Sequence, residues 1–168
     1  MDLQRVCVHE AGHFYLAYKY RPERAVSIRI SRQVNTDAPT GQEYVSAGTV
    51  ITFEPEGSLP RVQVSIRAAG LAAESLIYGE SFDDLMKSPS VQWRVKTDKD
   101  NAKRDLEMAG LFPSSEAEFT WFYWRAGFSD AVSMMEASAD KLSCIAHYCL
   151  ANLDRDIPKA ELVSACHL

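Results

Sequence analysis

Two histidines and a glutamate near the N-terminus carry the clearest chemistry in this chain. His9-Glu10-Ala11-Gly12-His13 reads H-E-x-x-H. On a helix this spacing sets two imidazoles one turn apart on one face, where they can grip a single metal ion. Glu10 is out of line with the two histidines but within reach of a water held by that ion. That is the place of a general base in a zinc hydrolase. Histidines on an apolar face are commonly satisfied core residues. Here, however, two of the four histidines fall on the motif, with the glutamate between them.

The residues around the motif must form a helix for this to work. Val6, His9, His13, Leu16 and Tyr20 follow 3–4 spacing, and no proline occurs before Pro22. The pattern predicts a buried helix over 3–20 with both histidines facing inward. Gly12 costs about 1 kcal/mol against alanine in a helix interior, which suggests a need for close approach there. Ala25 to Ile30 then alternates, with Val26, Ile28 and Ile30 on one side of a half-buried strand. Residues 33–44 read as a polar loop, Val45 to Phe53 as a second strand, and 54–60 as a turn. Gly48 inside the second strand implies a bulge or a close approach by another backbone.

Downstream, a helix is expected over 61–78 with Gly79 as its cap, followed by an irregular stretch over 80–96. Helices are expected over about 98–109, over the aromatic-rich 115–125, over a long 130–153, and from Pro158 onward. The expected fold class is α+β, mainly helical: an H-E-x-x-H helix packed with a small β-sheet and a C-terminal helical bundle. With 168 residues a single domain over 1–168 is expected, 1–110 forming the zinc-site core and 111–168 a helical C-terminal part.

Bulk properties narrow the function. A net charge of −5 gives no basic footprint for nucleic acid or an anionic membrane. No apolar run approaches the roughly 18 residues that span a bilayer, and the opening residues lack the pattern of a signal peptide. Cys7, Cys144, Cys149 and Cys166 have no tight framework spacing, so reduced thiols and a cytoplasmic location are expected. Cys144 and His147 stand three residues apart but lack a second pair of ligands, and read as core packing.

A catalytic zinc usually has three protein ligands. Leu16 and Lys19 occupy the positions where a metzincin needs glycine and histidine. Eight residues precede His9, so the upstream cysteine ligand of a peptide deformylase is not expected. Two downstream carboxylates compete on the residues alone. Glu74 lies on the second predicted helix. Asp98 starts the third, on the stripe of Ala102, Leu106 and Ala109, whereas Asp100 lies about 200° round from it.

The order of motifs resembles the peptidase domain of FtsH-type ATP-dependent zinc metalloproteases. Val8-His-Glu-Ala-Gly-His13 is similar to that family's active-site helix. Val26-Ser-Ile-Arg-Ile30 and Ala47-Gly-Thr49 resemble its strand and its Gly-centred substrate strand. Ala68-Ala-Gly-Leu-Ala-Ala-Glu-Ser-Leu-Ile-Tyr-Gly79 resembles its second helix, and Thr97-Asp98-x-x-x-Ala102 its third-ligand segment. Ile157-Pro-Lys-Ala-Glu-Leu162 is faintly similar to its closing helix. The likeness is good over 5–110 and weak beyond, and Leu71 stands where the family has arginine.

The resemblance implies a zinc metalloendopeptidase with Zn²⁺ held by His9, His13 and Asp98, and with Asp100 the next candidate ligand. It implies Glu10 as the base and Glu74 as a residue that orients a ligand or ties the helix pair together. Gly48, Thr49 and Val50 would form the substrate strand, taking a peptide or unfolded protein. The sequence carries neither an ATPase module nor a membrane segment, so a free-standing peptidase domain is expected. ATP-driven unfolding and a hexamer are not implied, and a protein partner or a homo-oligomer stays open. The alternative is a catalytically weak or inactive peptidase-like scaffold whose C-terminal aromatics meet a partner.

Overall fold

The computed structural model describes residues 2–34, 43–51 and 59–168. It is a mainly helical α+β protein with one three-stranded antiparallel sheet. The chain divides into two compact units, one of residues 1–52 with 140–168, the other of residues 53–139.

The first unit begins with α1 (Leu3–Tyr20), over the span the spacing predicts. The carboxylate of Asp2 caps it, accepting from the backbone N–H groups of Gln4 (3.0 Å) and Arg5 (3.4 Å). A cap of this kind satisfies donors that have no partner within the helix and contributes about 1 kcal/mol. The helix is buried continuously from Val6 to Phe14, and again at Leu16 and Ala17. It packs on β1 (Ala25–Val34) and β2 (Glu43–Ile51), joined in the order β2-β1-β3 with a short β3 (Asp156–Pro158).

The register between β1 and β2 slips once, between Ala25 and Ser27. The bulge therefore lies at Val26, on the strand opposite Gly48. Val26 is turned outward, 38% exposed, and Ala25 takes the inner place at 1%. This corrects the expected one-sided trio: Ile28 and Ile30 are buried, and the extra residue of the bulge puts Val26 out of phase. Gly48 pairs regularly with Arg29, and a Cβ built there meets nothing within 4 Å. Residues 35–42 and 52–58, which include most of the predicted loop and turn, lie outside the described residues.

Strand β3 is too short to show a period in the sequence. It is held by the turn before it, where Asp154 adopts a left-handed φ of 65°. The Asp154 N–H donates to the Ile30 carbonyl and its carboxylate accepts from the Arg32 N–H, both at 2.8 Å. α8 (Ala139–Ala151) and α9 (Lys159–Cys166) complete the unit. A disulfide joins Cys144 of α8 to Cys166 of α9 across 22 residues of chain. The expectation of four reduced thiols is thus corrected, because two helices bring together cysteines that no local spacing relates. Cys7 and Cys149 are free and buried.

The second unit is built on α2 (Pro60–Tyr78), which ends as predicted with Gly79 at φ 70° and its N–H on the Ser75 carbonyl at 2.9 Å. α2 packs on α5 (Lys96–Met108) and most extensively on α7 (Arg125–Met135). The stretch 80–96 is helical rather than irregular. Ser81 caps α3 (Phe82–Lys87), and Pro89 occupies the first turn of α4 (Pro89–Arg94), where its missing N–H costs nothing. The aromatic segment forms the single turn α6 (Glu116–Glu118) followed by a π-helix over Phe119–Trp124.

The expected long helix over 130–153 is two helices. α7 ends at Met135, a 3₁₀ turn covers Glu136–Ser138, and α8 begins at Ala139. No glycine or proline marks this break, so the hydrophobic period runs through it unbroken. Among the described residues no helix is long and apolar enough to cross a membrane.

Candidate metal centre

The first unit brings His9, Glu10 and His13 together in the middle of the buried run of α1, at 6%, 8% and 6% exposure. The two imidazoles stack edge to face, with centroids 4.8 Å apart and planes at 74°. Their Nε2 atoms stand 3.1 Å apart. Two nitrogens each about 2.0–2.1 Å from one ion at a tetrahedral angle stand roughly 3.3 Å apart. The spacing is that of a hydrogen bond between the two rings, and it is also what two imidazoles facing one cation would show; the donor pair then fits a borderline metal such as zinc.

Glu10 projects toward the sheet. The hydroxyl of Thr49 lies 2.7 Å from Glu10 Oε2 and 3.1 Å from the Glu10 carbonyl. One proton serves that hydroxyl, and the shorter contact is to the carboxylate, which is the stronger acceptor. Thr49 pairs with Ile28 in the register of the sheet, which turns both toward α1. Thr49 was expected in the substrate strand. Its direct link to Glu10 has no sequence signal, since nothing in a 39-residue separation announces a contact.

Two thiols of the same unit are chemically quiet. Burial, then the charge of Glu10, pushes Cys7 up to about 11. Burial, then Cys7 and Glu10, pushes Cys149 up to about 12. Both stay protonated near neutrality, and a protonated thiol is a poor metal ligand.

The second unit holds the three carboxylates considered for the remaining ligand, each in a different state. Glu74 on α2 is fully buried, and its Oε2 accepts from Arg94 Nη2 of α4 at 2.6 Å. It therefore ties α2 to α4, and Arg94 is a partner the sequence did not point to. Asp98 is the third residue of α5 and half-buried. Four residues on, Ala102 is buried, as is Leu106 beyond it, while Ala109 at the end of the stripe is exposed. Asp100 is exposed and pairs with Lys96 at 3.1 Å along the helix surface.

The C-terminal aromatics split. Phe119 and Trp124 are buried at 1% and 0%, whereas Trp121 and Phe122 are 54% and 67% exposed. Val50, on the strand beside Thr49, is half exposed at 50%.

Comparison with known proteins finds no matching family model and no matching curated protein.

Proposed function

We propose that the chain is a zinc-dependent metallopeptidase of FtsH type that cleaves peptide bonds in extended or unfolded substrates. The observation that carries this reading is the convergence of the His9 and His13 Nε2 atoms at 3.1 Å beside a buried Glu10. The third ligand in this reading is Asp98, on the strength of the likeness of Thr97-Asp98-x-x-x-Ala102 to the family segment.

Bound by these residues, zinc would act as a Lewis acid, polarising the scissile carbonyl and bringing the pKa of its water toward about 7. The chain's own part is proton transfer and alignment. Glu10 takes the water proton as the carbon–oxygen bond forms, then passes it to the leaving amine as the carbon–nitrogen bond breaks. β2 ends the strand order of the described sheet, and an extended peptide would pair along its outer edge. Glu10 also favours this reading over a purely structural site, which has four protein ligands and no use for a base.

A second reading, a peptidase-like scaffold with little activity, is favoured by the exposure of Trp121 and Phe122. Glu10→Gln separates the two. The variant should keep its zinc and lose at least about 100-fold in hydrolysis of fluorescent casein, the lower bound for a general base. Equal activity in wild type and variant would sink the proposed mechanism.

A further inference from the structure

We infer that Thr49 is a positioning residue for Glu10: its hydroxyl fixes the carboxylate in the orientation that proton transfer needs. This inference rests on the peptidase reading of the site. Its support lies in the geometry of the first unit.

Glu10 is buried, and a carboxylate in such a place needs a donor. Thr49 supplies one at 2.7 Å. A glutamate side chain has three rotatable bonds, and burial alone does not choose among its rotamers. A hydrogen bond from the Thr49 hydroxyl does choose, because that hydroxyl is carried on a paired strand and reaches one carboxylate oxygen. Thr49 also sits on a paired strand, with Ile28 opposite in register. The donor is thus carried by the sheet, while the acceptor is carried by α1.

The neighbours of Thr49 could not do this. Gly48 has no side chain, and Val50 is half exposed on the strand's other face with no donor to offer. The strand therefore has two roles: its outer edge would take a peptide backbone, and Thr49 turns inward to hold the base. Binding of a substrate strand along β2 would bear directly on the residue that aligns Glu10.

The test compares Thr49→Val, which keeps the shape and removes the hydroxyl, with Thr49→Ser, which keeps the hydroxyl. Both are loaded with zinc, assayed over a casein concentration series and crystallised. Thr49→Val should lower kcat roughly tenfold or more, on the scale that misplacing a reacting group costs, with KM and zinc content within about twofold of wild type. Thr49→Ser should recover kcat to within about twofold. In the Thr49→Val crystal the Glu10 carboxylate should leave its wild-type position, and in Thr49→Ser it should keep it.

An unchanged kcat in Thr49→Val, or a Glu10 carboxylate that stays in place without the hydroxyl, overturns the inference. Should zinc-loaded wild type cleave no casein, the peptidase reading fails. The carboxylate position in the two crystals then decides the role of Thr49 by itself.

Discussion

Glu10 is a carboxylate buried on α1, directly after His9 and three residues before His13. Taking a carboxylate out of water is costly unless hydrogen bonds or a cation compensate. Thr49 offers one such bond. A cation between His9 and His13 would offer the rest. His13→Ala and Asp98→Ala should each weaken zinc binding more than about 100-fold, beyond the 10–100-fold typical of losing a residue that only supports a ligand. Asp100→Ala should leave it within about twofold. Isothermal titration with zinc checks all three, and a strong loss in Asp100→Ala with none in Asp98→Ala would move the third ligand. At this scale the sequence was most legible where residues are neighbours. The i and i+4 histidines converge because one helix carries both. The Thr49 contact was hidden because the sheet creates it.

Among the elements, the α2–α7 pair shows how one residue can set an interface. A Cβ built on Gly127 would lie 2.6 Å from Val64 Cγ1 and 3.0 Å from the Val64 carbonyl carbon and oxygen. The side chain could turn aside, but the backbone could not. Gly127→Ala should therefore destabilise the protein by about 1–3 kcal/mol, although alanine is the better helix former by about 1 kcal/mol. Urea denaturation measures this, and a more stable variant would show that α7 can shift. Long periodic helices such as α1 and α2 could be read from spacing, Pro22 and Gly79. Short ones could not. Pro89 lies in the stretch expected to be irregular yet starts α4, and the 3₁₀ turn at Glu136–Ser138 has no glycine or proline to mark it. The Val26 bulge likewise leaves no mark, since a slip of one residue is set by pairing rather than by composition.

For the whole molecule, stability should carry the signature of Cys149, one of its two buried free thiols. Cys149 ionises at about 12 when folded, against 9.0 for an ordinary thiol. Below pH 9 both states hold the proton and the contribution is constant. Between about pH 9 and 12 the unfolded chain releases it first, so stability falls with rising pH, by up to about 1.4 kcal/mol per unit. Cys149→Ala should show a shallower fall over that range in urea denaturation, whatever its absolute stability. Identical slopes would contradict the burial argument.

Metal-assisted peptide hydrolysis stands or falls on the rate of casein cleavage in one protein sample taken through three states: zinc-loaded, stripped by chelator, and reloaded with zinc. The expected sequence is cleavage, loss of cleavage, and recovery. A zinc-loaded chain that leaves casein intact, or cleavage that continues at the same rate after the metal is removed, would contradict it.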